Sequence, residues 1–379
     1  MKKIFSADKV LVTTFSIMLI VGLLFFLSAS LGVLDSNSAK FISIVRTQIL
    51  LGFLGGLIAF IFIIRVPSVF WQKYAPVFFF LALGLTLLVY VPGIGVSHGG
   101  ARRWVDVGPI SFQPADFLKA SVLLYLAALY SKFLKRDTSK DKTKNKTINL
   151  FSLLAPVFVI LALSAGALLF QPDTKSVVLI FLACISVLFI VGLPYRIIFS
   201  IFGILLVLGT FLILTKPYVA TRFKTFLNPE NDPQGASYQL KQSLIGLGSG
   251  GLLGQGFGQS VQKFNFLPEP QGDSVFAVVG EEVGFLGAVF VIGLYLVFVL
   301  RGLKLSHTLL SPFGRLFFVG FFAMFAFQAF LNIGSIIGLI PLTGVPLPLM
   351  SHGGTSLLVN CALFGIIIRL LYEQNEINK

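Results

Sequence analysis

Charge is what this chain has least of. Asp, Glu, Lys and Arg make up 12% of its 379 residues, about half the roughly 25% of an ordinary soluble protein. Hydrophobic residues fill 56% and mean hydropathy is +0.92, which excludes a soluble fold, because a chain this size cannot hide so much apolar surface. In lipid, backbone polar groups must be satisfied by helices or a closed barrel. Alternating strands of about 10 residues are missing and the apolar runs extend for about 20, so helices are expected. Cysteine is almost absent: Cys184 and Cys361 lie in separate apolar runs, which argues against a disulfide and for small buried hydrophobes. The three histidines, His98, His307 and His352, are scattered and no H-E-x-x-H spacing occurs, so no metal-ligand cluster is expected. No small-residue cleavage site follows Met1-Lys2-Lys3, and the first apolar run is too long for a signal-peptide core; it is expected to stay as a span.

What is present is a series of long apolar segments. Ten can be marked, over residues 10–34, 45–64, 75–91, 117–133, 150–170, 176–193, 197–215, 275–300, 316–340 and 355–371, each with the length of a membrane helix. The expected fold is an all-α polytopic membrane protein of about ten transmembrane helices in one domain over 1–379, with a large extracytoplasmic loop, 216–274, between helices 7 and 8. The net charge of +14 suits topology better than nucleic acid, because most of the 29 Lys and Arg residues gather on alternate loops. Lys2, Lys3 and Lys9, Arg65 and Lys73, the basic loop 132–149, Arg196, Arg301, Lys304 and Arg315 share one face. Positive charge marks the cytoplasm, so both termini are expected there, with no nucleic-acid partner and contact with membrane lipid.

The opposite face carries the polar motifs. Asp273 stands where the proline-broken stretch Phe266-Leu267-Pro268-Glu269-Pro270 passes into span eight. An acid there can be an N-cap, accepting the first free N–H groups of the helix, or a catalytic group that still reaches water; spacing alone favours the cap. Arg46 opens span two, Asp116 and Lys119 open span four at i, i+3, and Asp173 and Lys175 lie at the turn into span six. These charges can snorkel or pair locally, yet charge within a bundle is costly unless it is paired or lines a wet cavity. Together with Arg102 and Arg103 they would suit an anionic phosphate. Gly254-Gln255-Gly256-Phe257-Gly258 has no β-α-β context for a dinucleotide. Its glycines are expected to allow close backbone approach or a re-entrant turn. Val219, Phe223, Phe226 and Leu227 have the spacing of a surface amphipathic helix or of an extension of span seven.

Taken in order, these motifs resemble one family. They are Gly100-Ala101-Arg102-Arg103-Trp104, Gln113-Pro114-Ala115-Asp116 with Lys119, Gln171-Pro172-Asp173, Tyr238-Gln239 with Gln242-Ser243, Gly248-Ser249-Gly250-Gly251, Phe266-Leu267-Pro268-Glu269, Asp273, Gly280-Glu281-Glu282 and the loop 346–354 around Ser351. The family is SEDS, that of FtsW, RodA and SpoVE, and Arg102-Arg103, Gln262-Lys263 and Gly280 lean toward FtsW. The resemblance implies a peptidoglycan glycosyltransferase that polymerises lipid II into a growing glycan strand at the outer face of the bacterial cytoplasmic membrane, for division or cell shape, beside a class B penicillin-binding protein. It implies Asp273 as the essential acid. Three departures adjoin it: Gln271-Gly272 replaces the usual His-Thr, His352 the usual Tyr, and Lys175 the usual Gly.

Glycan extension removes a proton from a sugar hydroxyl while a lipid diphosphate departs. Asp273 is therefore expected as general base, with Arg46, Arg102, Arg103 and Lys119 on the diphosphate and Asp116, Asp173, Glu269, Gln239, Gln242 and Ser351 as further substrate contacts. A divalent cation, Mg2+ or Mn2+, could assist on the diphosphate, but the sequence shows no dedicated ligand set. Two other classes fit the same features: a flippase for the same lipid, and a scaffold that activates the penicillin-binding protein without chemistry of its own.

Overall fold

The computed structural model describes residues 8–93, 95–98, 101–107, 110–137, 150–193 and 236–377, with isolated positions between 196 and 227. Most of expected span seven, of the segment 219–227 and of the basic loop 132–149 lies outside the described residues.

Ten helices organise what is described: α1 (Lys9–Ser36), α2 (Ser38–Ile63), α3 (Ser68–Leu88), α4 (Pro114–Asp137), α5 (Leu150–Phe170), α6 (Thr174–Val191), α7 (Ala236–Ser249), α8 (Val275–Ser306), α9 (Pro312–Ile336) and α10 (Gly354–Ile377). Among the described residues, eight are long and apolar enough to cross a membrane, and α5 adds a shorter apolar stretch, Leu154–Phe170. The chain is a multi-pass membrane protein. Local signals set several ends. Asp8 caps α1 through Leu11 N–H at 2.9 Å, Ser311 caps α9 ahead of Pro312, and α6 stops at Gly192 with φ 95°, the left-handed ending that glycine permits.

Two features depart from plain helices. Between α3 and α4 stands an antiparallel sheet, β1 (Gly95–His98), β2 (Ala101–Val107) and β3 (Ile110–Phe112), with Val105 facing Gly95 on one side and Phe112 on the other. Its strands are too short for their alternation to stand out from a loop in the sequence, and among the described residues this small sheet is an addition to an otherwise all-α fold. In α2, residues Thr47–Gly55 wind as a π-helix, and the widened turn presents Gln48 to the loop before α10: Gly353 N–H donates to Gln48 Oε1 at 2.9 Å.

Aromatic rings fill the centre. Phe298 of α8 lies 5.0 Å from Phe325 and 5.1 Å from Phe322 of α9, ring centre to ring centre. Small residues let α2 meet α10, where a Cβ on Gly56 would stand 3.1 Å from Cys361 Cβ, a close approach common between membrane helices.

The glycine-rich segment after α7 forms a re-entrant plug. Helix α8 breaks at Gly284 (φ 68°, ψ −168°), and Phe285 and Leu286 N–H instead donate to Gly251 and Leu252 O at 2.9 and 3.2 Å. A Cβ on Gly254 would lie 2.2 Å from Glu282 O, which requires glycine there. At about 1.5 Å per residue the break is roughly 14 Å along α8 from its start, and irregular backbone within an apolar span survives only when protein satisfies it. Leu252 and Leu253, 69% and 78% exposed, suit a hydrocarbon surrounding.

Candidate active site

At the α8 entrance, Ser274 is the N-cap residue and makes no side-chain capping bond, so the capping expectation for Asp273 is overturned. Its carboxylate looks away from the helix: Gln239 Nε2 of α7 donates to Oδ1 at 3.0 Å and to Ser274 Oγ at 2.9 Å. The Asp273 carbonyl accepts from Asn332 Nδ2 of α9 at 2.7 Å, and the same nitrogen donates to Val345 O at 2.7 Å. One buried amide thus fixes the Asp273 turn to the 341–353 loop. That loop is also held by Gln328 Nε2 on Pro346 O at 2.9 Å, by Leu347 N–H on Ser351 Oγ at 2.7 Å and by Tyr295 OH on Pro348 O. His352 N–H closes the pair of loops by donating to Gln271 O at 2.7 Å.

Asp273 opens on a cavity of about 140 Å³. Its walls are the first turns of three helices and the loops between them: Gln113, Asp116 and Lys119 at α4, Lys175 and Ser176 at α6, Gly353 and Ser356 at α10, with Trp104, Glu269, Gly344 and His352. Helix N-termini carry partial positive charge from unpaired N–H groups, and three of them converge here beside two lysines and three carboxylates, Asp116, Glu269 and Asp273, so positive groups and acids share one wall. Lys119 pairs with Asp116 at 2.7 Å, and Lys175 Nζ donates to Gly344 O at 3.1 Å.

Burial and then the Glu269 charge push the Asp273 carboxyl above its ordinary value, against the Gln239 hydrogen bond and the Lys175 charge. Such a carboxylate is a better base than one in water. His352 is held neutral, its pKa pushed down to about 4 by burial and by the charge of Lys40, and it stacks on Phe26 with ring centres 6.0 Å apart.

Of the charged and polar residues singled out in the sequence, the fold brings Asp273, Glu269, Asp116, Lys119 and Lys175 to the cavity and sets Gln239 against Asp273. The others lie elsewhere. Asp173 is buried as the N-cap of α6, accepting Ser176 N–H at 3.3 Å. Arg103 is spent on the carbonyls of Gln171, at 2.9 Å, and Pro172. Arg102 is exposed on β2 and Arg46 is exposed on α2. Gln242 is half-buried on α7, and Ser351 is occupied by its own loop. Trp104, Gln113, Ser176, Ser356 and His352 enter as wall residues beyond the expected set. Trp104 and Gln113 stand inside motifs already noted, and His352 is one of the departures; Ser176 and Ser356 carry no signal, being ordinary serines until two helices start at one place. Among the described residues no three His, Cys, Asp or Glu side chains are grouped as metal ligands, and Asp116 is already committed to Lys119.

A family model described as cell cycle protein, covering FtsW, RodA and SpoVE, matches residues 8–376. Stage V sporulation protein E of Bacillus subtilis is 34% identical over 367 residues, 96% of this chain and 97% of that protein. The probable peptidoglycan glycosyltransferase FtsW of Nitrosomonas europaea is 33% identical over 374 residues, covering 97% and 93%. Among solved structures, a chain of a peptidoglycan synthase complex that coordinates polymerization and crosslinking superposes with a TM-score of 0.77 at 26% identity, over 97% of this chain and 98% of that one. The rod shape determining protein RodA of Thermus thermophilus gives 0.67 at 26% identity, over 97% of each.

Proposed function

The chain belongs to the FtsW, RodA and SpoVE family of cell cycle proteins, and from that premise we propose that it is a peptidoglycan glycosyltransferase that polymerises lipid II, with Asp273 as its general base. The observation that carries the assignment is that Asp273 caps no helix and borders a cavity that Lys119 and Lys175 also line. The acceptor sugar's 4-hydroxyl oxygen attacks the anomeric carbon of the donor, its proton passes to Asp273, and the carbon–oxygen bond to the lipid diphosphate breaks with the electron pair leaving on phosphate. Lys119, oriented by Asp116, together with Lys175 and the first turns of α4, α6 and α10, offsets the charge that develops there. Arg103 acts by bracing the turn from which Lys175 projects. Exposed Arg102 and Arg46 are placed to meet the phosphates on the way in, and Gln242 and Ser351 act through the α7 and 341–353 frame.

The active end faces outward from the bacterial cytoplasmic membrane, both termini lie inside, and a class B penicillin-binding protein accompanies the chain. The likeness to a chain of a synthase complex supports that partnership, and the distribution of Lys and Arg supports the orientation. A cysteine at Arg102 is expected to react with an impermeant thiol reagent on intact cells and one at Lys132 is not; the opposite labelling would reverse the orientation.

Polymerisation by purified protein tests the activity. Wild type is expected to build glycan from lipid II, and Asp273→Asn to lose at least about a hundredfold, the low end of acid–base catalysis. Near wild-type activity in that variant would remove Asp273 as the base. A wild type that makes no glycan but moves the lipid across vesicles would make the chain a flippase.

A further inference from the structure

The charges around Asp273 do not all act on it. Asp116 and Lys119 are paired across 2.7 Å and so largely offset each other's field at Asp273, His352 is neutral, and Gln239 brings a hydrogen bond without charge. Two unbalanced charges remain on the cavity wall, Glu269 on the same turn and Lys175 from the start of α6.

Both are placed by unusual local structure. Glu269 has φ 45°, a left-handed conformation that residues with a side chain rarely adopt. It folds the carboxylate back over Gly272, where a Cβ would meet Glu269 Oε2 at 3.1 Å. Glycine at that position therefore keeps open the space that the second carboxylate occupies beside Asp273. Lys175 spends one of its three donors on Gly344 O at 3.1 Å, which holds the ammonium at the wall.

We propose that Glu269 and Lys175, held on the wall that Asp273 shares, are opposed positioning residues, the carboxylate favouring the proton on Asp273 and the ammonium favouring its ionised form, so that together they tune the group that takes the acceptor's proton. Glu269 alone would favour the protonated acid, and a protonated acid cannot serve as the base. Lys175 alone would leave a weaker base. The inference rests on the reading of Asp273 as the general base, and the test separates the two.

The test uses the purified full-length protein and two readouts. The first is the pH dependence of carbodiimide labelling at Asp273, read by mass spectrometry, because the reagent attacks the protonated carboxyl and needs no turnover. The second is the acid limb of the polymerisation profile. In Lys175→Met both midpoints are expected to move up by about one pH unit, the low end of what a nearby opposite charge contributes. In Glu269→Gln both move down, and the double variant returns close to wild type. Lys175→Arg and Glu269→Asp, which keep charge, hold the wild-type midpoints, and Lys175→Gln or Glu269→Ser, also neutral, carries the same expectation if the first neutral variant fails to fold. Labelling midpoints that stay fixed, or move the same way in both neutral variants, overturn the proposal. Labelling midpoints that move as expected while the acid limb stays fixed uphold the tuning and remove Asp273 as the base.

Discussion

Two sets of carboxylates flank the start of α8, and they have opposite fates. Glu281 and Glu282 are each 1% exposed and tied to neighbouring segments, although Oε2 of Glu282 is left without a partner among the described residues. Glu281 accepts from Ser260 Oγ, from Val261 N–H at 3.0 Å and from Gln262 N–H, while Glu282 pairs with buried Lys263 at 2.8 Å and accepts from Ser28 of α1. Asp273, two turns earlier, has one amide donor, one neighbouring hydroxyl and an open cavity. The difference teaches how to tell a strut from a reactive group in a membrane bundle: an acid buried against its own cation and donors, with no cavity beside it, holds backbone together, and one that borders a cavity meets substrate. The glutamates lock the re-entrant plug onto α1 and α8, and that lock steadies the floor on which Asp273 and Gln239 sit.

The contrast breaks first, and most severely, at Lys263. Lys263→Met leaves Glu282 buried without its cation and is expected to cost about 3–5 kcal/mol, read as a lowered midpoint of thermal unfolding in detergent. The double variant with Glu282→Gln is expected to recover most of it; a harmless single variant would mean that the pair is no strut. Ser260→Ala removes one donor from Glu281 but leaves the backbone N–H groups, so about 1.5–3 kcal/mol is expected by the same measurement. A loss below about 0.5 kcal/mol would show that water replaces the hydroxyl. The smallest effect on stability belongs to Asp273→Asn, within about 0.5 kcal/mol of wild type, because the side chain caps no helix and the amide can still bond to Gln239. A large drop in its unfolding midpoint would turn Asp273 into a third strut and make its loss of activity uninformative.

Much of the fold is written locally. Long apolar runs identify spans because lipid forces each segment to satisfy its own backbone, and glycines in the 246–258 stretch signal close approach because only they tolerate a carbonyl at 2.2 Å from a Cβ position, as at Gly254. The helical runs 9–36, 150–170 and 174–191 coincide with expected segments to within about two residues, while 68–88 starts seven residues before its expected segment, 75–91. The seventh lies mostly outside the described residues. What was not legible is what depends on distant partners. The three strands between α3 and α4 form because they pair with one another, a preference no short window contains.

For the site, the sequence determined the inventory: an acid at a loop-to-span boundary, a pair of charges at i, i+3, a proline-rich turn and a polar motif on each loop of one face. Only the tertiary structure decided which of them meet. Gln113 N–H finds Thr355 Oγ1 across 242 positions, and Gln171 Nε2 finds Thr86 O across 85; such contacts bring the starts of α4, α6 and α10 to one cavity. They also turn Asp173 into a cap and Arg103 into a brace while leaving Asp273 free of its helix. Chain spacing fixes which groups share a helix face, because helical geometry is local. Whether a carboxylate is tied to a cation and donors or borders a cavity depends on groups supplied from other helices, and those arrive only when the bundle closes.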